Sequence, residues 1–390
     1  MIDKFKKYQA QTSLHPLGLK VSYAKGSYIY DENGKPYLDF VAGVSANVLG
    51  HQPTTVTEAI KKQIDKYMHV MVYGEFIQEP PLELAQKIAQ LMPGNLQVTY
   101  LVNSGTEATE GAMKLAKHYT GRPEIVAARL SYHGNTQGAM SVMDYPERKN
   151  PFMPLIPGIN FINFNNFNDL NKINKKTAAV ILETIQGGAG FIEPCNEYLQ
   201  AVKKRCEEVG SLLILDEIQT GWGRTGKMFG FENYQVIPDI VITGKALGGG
   251  MPIGAFTSTS EIMQSLTQPA MGHITTFGGN PVIAAGALAT VKYIEENNLA
   301  KEALRKETIF RTYLKHPKIK EIRGKGLMLA LILETPEQAN NLVIKALDKG
   351  LILFWLLYEK RAVRITPPLT IKDEEIKKGI KLILKILNEN

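Results

Sequence analysis

Four short apolar runs constrain this chain more than any other feature: residues 125–128, 178–182, 212–215 and 240–243. Each is built almost wholly from Ile, Val, Leu and Ala, so consecutive side chains are apolar on both faces. That pattern reads as a strand buried from two sides, as in a parallel sheet. A fifth strand is predicted at 98–102. Helices are predicted between the strands. Residues 82–91 put Leu82, Leu84, Ala85, Ile88 and Leu91 on one face. Residues 107–119 end at Gly121, and residues 197–209 end at Gly210. Strands alternating with helices predict an α/β fold with a mostly parallel sheet covered by helices. The chain ends differ. Residues 20–40 alternate around an Asp-Glu-Asn-Gly turn and read as a hairpin. The Asn-rich stretch 160–174 reads as a surface connection, and 351–358 (LILFWLLY) as a buried strand or its flank. From about residue 290 the pattern is helix-strand-helix with many lysines. We therefore expect a large domain over 46–288 and a small α+β domain assembled from 1–45 and 289–390.

At 390 residues the chain can bury a large core, and its 44% apolar and 21% charged residues are ordinary for a globular protein. The net charge of +7 is spread over small clusters with no aromatic-interleaved basic stripe, so a nucleic-acid partner is not expected. Cys195 and Cys206 lie in no paired motif. Neither a metal site nor a disulfide framework is expected, and a reducing, cytoplasmic setting fits. The first residues lack the apolar core of a signal peptide, and no apolar run is long enough to span a bilayer.

Open α/β sheets bind ligands at the carboxyl ends of their strands. There the chain delivers Ser104-Gly105-Thr106 at a helix start, Glu183 with Gln186-Gly187-Gly188, Asp216, and Lys245. Ser104 or Thr106 can cap the helix, or the turn can cradle a phosphate through free N–H groups. An acid directly after Leu212-Leu213-Ile214-Leu215 is shielded from water and needs a cationic partner. Lys245 can point to solvent, or it can sit half-buried with its amine freed to form an imine. Phosphate turn, acid and lysine together suit one cofactor, pyridoxal 5′-phosphate. A competing pattern, Gly221 to Lys227, fits the GxxxxGK phosphate loop of nucleotide hydrolases. Met228 stands where that loop needs Ser or Thr, so the nucleotide reading is disfavoured.

Over nearly its whole length the chain resembles the class III (ω-amino-acid type) aminotransferases of the fold-type I pyridoxal-phosphate enzymes. The matching segments include "VNSGTEATEGAMKLAKHYTGR", "SYHGNTQGAMS", "LLILDEIQTGWGRTGKMFGFE", "PDIVITGKALGGGMPIGA", "TTFGGNP" and "VRITPPLTI". The resemblance makes GxxxxGK a feature of this family's loop. It implies Lys245 as the Schiff-base lysine and proton shuttle, and Asp216 as partner of the pyridine nitrogen. Gly105, Thr106 and Ser104 are implied at the phosphate, with Tyr132 on the ring and Gln219 near the phenolic oxygen. Glu183 falls within the same cofactor set. Thr276 is implied at the phosphate of a neighbouring subunit, hence a homodimer with shared sites. Arg364 is implied as the residue that binds an α-carboxylate, as of 2-oxoglutarate. The implied reaction is transamination by a ping-pong route. An aminomutase or racemase of the same fold is the alternative.

Two departures bear on the substrate. Acetylornithine and ornithine aminotransferases usually carry Arg after the aromatic-X-Gly segment, where this chain has Asn135, which gives no bidentate cationic grip. They also usually have Gln-Gly-Glu, whose acid shields the carboxylate arginine; here the run ends in Gly188. Val44, Ser45, Tyr73, Glu75 and Asn135 are the candidates for the donor pocket.

Overall fold

The computed structural model describes residues 2–195 and 197–389. Among them, a seven-stranded sheet runs in the order Val98–Val102, Gly254–Ser258, Ile240–Gly244, Leu212–Asp216, Thr177–Glu183, Glu124–Ala128, Ile159–Ile162. Six strands point the same way, and Gly254–Ser258 is antiparallel to both neighbours. The period of two explains why its central strands are apolar throughout. Ile181, Ile214 and Ile242 enter one core cluster with Ala112 of the helix Gly105–Thr120. Their neighbours Leu182, Leu215 and Val241 enter the opposite cluster with Leu199 and Val202 of the helix Tyr198–Val209. Each Leu or Ile taken wholly out of water contributes about 1.5–3 kcal/mol, so this double-sided burial holds the central strands between two helical layers.

Two smaller sheets flank this core. In one, Val21–Lys25, Tyr28–Asp31 and Pro36–Asp39 form an antiparallel meander, and Leu351–Ile352 adds to it in parallel. This pairing joins the two ends of the chain. The other is antiparallel, in the order Ile319–Lys325, Met328–Leu333, Ala362–Ile365, Phe354–Trp355, and it carries Arg364.

Several expectations are corrected. The Asn-rich stretch begins as an edge strand, Ile159–Ile162, parallel to Glu124–Ala128; only the residues after Ile162 form a connection. The helix predicted at 82–91 starts at Glu79, with Pro80 and Pro81 in its first turn, where no N–H is missed. Leu82 is 57% exposed, so the buried face is Pro80, Leu84 and Ile88. Residues 351–358 are not one buried strand. They break at Leu353, and Phe354 faces outward at 40% exposure. The strand Gly254–Ser258 is short and opens on a glycine, which hides it from pattern reading. That glycine is required, because a Cβ at 254 would collide with the Ser104 carbonyl. Among the described residues no helix is long and apolar enough to cross a membrane, and no His, Cys, Asp or Glu group could hold a metal ion.

Candidate active site

The three central strands end side by side, so their last residues form one edge. Glu183 and Asp216 are register partners across two of them, and Asp216 faces Ile242 on the third. Gly244 continues that third strand into Lys245, whose backbone is left-handed at φ 42°. A Cβ at Gly244 would lie 3.6 Å from the Gly105 Cα, so the lysine turn and the helix start press together here. A cavity of about 490 Å³ opens at this edge. Lys245, Asp216, Glu183, Gly105, Thr106, Tyr132, Gln219, Asn135 and Arg364 all line it.

The electrostatics of each group follow from its surroundings. Burial pulls the Lys245 ammonium down to about 8, against the opposing pull of Asp216. Asp216 is buried and has the partners its position demands: His133 Nδ1 lies 2.8 Å from Oδ2, and Ile218 N donates to Oδ1 at 2.9 Å. No pattern in the sequence assigns a role to His133. The need for a partner is legible, but its identity depends on a loop 83 residues upstream. Glu183 is pushed up to about 7 by burial. Both its oxygens are engaged, by Tyr132 N at 2.9 Å and Gly187 N at 2.8 Å, so it braces the backbone that carries Tyr132.

Arg364 is the least satisfied group in the cavity. It is 5% exposed, its guanidinium lies 5.7 Å from the Phe191 ring centroid, and its Nε and Nη1 have no hydrogen-bond partner. Burial lowers it to about 10, so it stays charged at neutral pH. Two buried, unpaired donors on a cation are costly unless an anion completes them.

The helix start has divided duties. Ser104 Oγ accepts from Glu107 N at 3.3 Å and so caps the helix; it does not line the cavity. Gly105 and Thr106 do line it, and the first N–H groups of a helix have no partner within the helix. Their free donors, the Lys245 amine and the acceptor carboxylate of Asp216 beside His133 together fit a phosphorylated pyridine aldehyde. Gln219 Nε2 donates to Ser45 Oγ at 3.2 Å at the cavity wall. Tyr73 and Thr276 do not line this cavity. Tyr73 lines a second one with Phe76 and Ile77, and Thr276 is exposed on the surface.

The GxxxxGK segment holds no phosphate site. No α-helix follows Lys227, which is exposed, and the next element is the 3-10 turn Gly230–Tyr234. Arg224 within it is fully buried and donates to the carbonyls of Leu327 and Pro367. Gly188, which stands in place of the acid, packs flat against Tyr358: a Cβ there would lie 2.7 Å from Cε2 of that ring.

The family model for aminotransferase class-III matches residues 8–387. An acetylornithine aminotransferase from Caldanaerobacter subterraneus is 37% identical over 402 aligned residues, covering 100% of this chain and 99% of that one. A putrescine aminotransferase from Pectobacterium atrosepticum is 38% identical, covering 92% of this chain and 81% of its own. Among solved structures, the ornithine aminotransferase of Toxoplasma gondii superposes with a TM-score of 0.93 at 30% identity. It covers 100% of this chain and 94% of that one.

Proposed function

Because the chain belongs to the class III aminotransferases, which are pyridoxal-phosphate-dependent transaminases, we propose that it passes an amino group from an amino-acid or ω-amine donor to 2-oxoglutarate by a ping-pong route. The observation that carries the acceptor is Arg364, buried in the same cavity as Lys245 and Asp216 with Nε and Nη1 unpartnered. An α-carboxylate supplies the negative charge and acceptor oxygens that such unpartnered donors lack. When bound, pyridoxal phosphate supplies the aldehyde that takes up the amine and the ring that accepts electrons. Lys245 would hold it at the aldehyde, Asp216 at the ring nitrogen, and Gly105 and Thr106 at the phosphate.

The chain's own groups then have separable tasks. Arg364 orients the substrate by its carboxylate and so sets which hydrogen on its α-carbon faces Lys245. The amine of Lys245, made available by burial, moves that proton at Nζ. His133 holds the Asp216 carboxylate in place. Tyr132, braced by Glu183, walls the cavity and limits water.

The surface around Thr276 supports a homodimer. Met68, Phe76, Ile77 and Phe277 are large apolar side chains left at 55% exposure or more. A second copy on that face would cover them and bring Thr276 to the partner's phosphate. Free Cys195 and Cys206 suit a cytoplasmic enzyme.

Turnover with an amine donor should require added oxo acid, and Arg364→Ala should raise its KM by at least about thirtyfold, since removing one member of a buried charged pair costs about 2–5 kcal/mol. Turnover without any oxo acid would identify a mutase or racemase instead. An unchanged KM in Arg364→Ala would remove the residue from substrate binding.

A further inference from the structure

The cavity holds a second arginine for which the proposed function has no use. Arg148 lies on the short helix Pro146–Lys149 and lines the cavity together with Arg364. Its guanidinium carbon is 6.0 Å from the Tyr145 ring centroid. Tyr145 in turn packs on Tyr358 with ring centroids 4.5 Å apart. The Tyr358 hydroxyl donates to the Ser131 carbonyl at 3.1 Å, and its backbone N–H donates to the Gly188 carbonyl at 2.9 Å. The arginine is thus presented on a pair of tilted, packed rings anchored to the body of the protein.

Its charge is unbalanced. Other arginines of the chain have acids: Arg129 pairs with Asp144, Arg323 with Glu321 and Arg361 with Glu359. Among the described residues no carboxylate forms an ion pair with Arg148. The two cavity acids are engaged elsewhere, Asp216 by His133 and Glu183 by two backbone N–H groups. Burial raises the hydroxyl pKa of both Tyr132 and Tyr358, and the positive charge of Arg148 opposes that rise only in part. The lining also includes Ile185, Phe354, Trp355 and Leu357, which suit a short run of methylenes.

We propose that Arg148 is the second carboxylate-binding residue of this cavity, taking the distal carboxylate of a dicarboxylic substrate whose α-carboxylate is held by Arg364. This rests on the role proposed for Arg364. It assigns to Arg148 the distal cationic grip that Asn135 cannot supply. The substrate class is a four- or five-carbon dicarboxylic oxo acid and its amino counterpart, as opposed to a monocarboxylic one.

The test compares 2-oxoglutarate with pyruvate, which lacks a distal carboxylate, in the cofactor-loaded enzyme and its Arg148→Gln variant. The side chain of Arg148 is exposed and makes no hydrogen bond, so the variant retains the fold. The ratio of kcat/KM for 2-oxoglutarate over pyruvate should fall about tenfold, the effect of one partly exposed charge-assisted contact. Arg148→Lys should recover part of it. A ratio unchanged in Arg148→Gln overturns the proposal. Binding of two unreactive probes, glutarate and butyrate, monitored by Trp355 fluorescence, separates this from failure of the Arg364 reading. Wild type should prefer glutarate about tenfold, and Arg148→Gln should bind the two alike. Equal binding of the probes by wild type overturns the role of Arg148. Loss of glutarate preference in Arg148→Gln alongside unaltered binding in Arg364→Ala sustains Arg148 and overturns Arg364.

Discussion

Replacing Gly188 with alanine tests how firmly the cavity wall is set. The new methyl carbon would stand 2.7 Å from Cε2 and 2.9 Å from Cδ2 of Tyr358. An ordinary carbon–carbon approach is about 3.5–4.0 Å, so the ring must retreat by close to 1 Å. It has no free direction. Its hydroxyl is tied to the Ser131 carbonyl, its backbone N–H to Gly188 itself, and its face to Tyr145. Overpacking of this type costs about 1–3 kcal/mol. Position 188 does not lie in the left-handed region, so alanine also restricts the unfolded chain, which offsets about 0.4–1 kcal/mol. The net loss is about 1–2 kcal/mol. Urea unfolding should show it as a lower midpoint at unchanged slope. Adding Tyr358→Ala should relieve the clash, giving a coupling of at least about 1 kcal/mol in the double-mutant cycle. Additive effects, or a Gly188→Ala variant as stable as wild type, would refute the reasoning. The same geometry means that Gly188→Glu cannot restore an acid gate while Tyr358 stays in place.

The cofactor-free chain should show Lys245 in its pH dependence. Burial lowers its pKa from the ordinary 10.5 to about 8, so between those values the unfolded chain binds more protons than the folded one. Stability should therefore rise with pH across that window, with the penalty of the buried ammonium fully present below about 8. Lys245→Met should flatten the rise seen in urea midpoints; an identical slope in both proteins contradicts the shift. A further prediction concerns Glu217, fully buried and pushed up to about 7 by that burial. It accepts from Thr184 Oγ1 at 2.5 Å, Gly230 N at 2.6 Å and Phe231 N at 2.9 Å. Glu217→Ala should strand two buried N–H groups and cost about 3 kcal/mol or more by urea unfolding. A loss under about 1 kcal/mol would show that water or rearrangement satisfies them.

What the sequence discloses obeys physical locality. Asp216 and Lys245 are legible because each lies directly beyond an apolar run, and the end of a buried strand is a fixed place in an α/β fold. Gly121 and Gly210 are legible as helix stops, and both are left-handed at φ 66° and 69°. Arg364 sits on a separate antiparallel sheet, so no local pattern carries it to the cavity; the family resemblance does. His133, Arg148 and Tyr358 gain their roles from contacts between loops far apart in sequence. A helix face is legible only in part: Leu82 fits the apolar stripe, yet the helix starts earlier than its period suggests and leaves Leu82 outside. The absence of an acid at 188 is plain in the sequence, whereas the ring that fills its place is not.

Lys245 shares one cavity with Asp216 and Arg364, and on this geometry it is the residue that should hold pyridoxal phosphate. Borohydride reduction of the loaded enzyme, with subsequent proteolysis and mass spectrometry, tests it most directly. A reduced pyridoxyl group should appear on the peptide carrying Lys245 and on no other lysine, with loss of the visible absorbance in Lys245→Ala. A cofactor fixed to a different lysine, or a Lys245→Ala variant that keeps its absorbance and turnover, would contradict it.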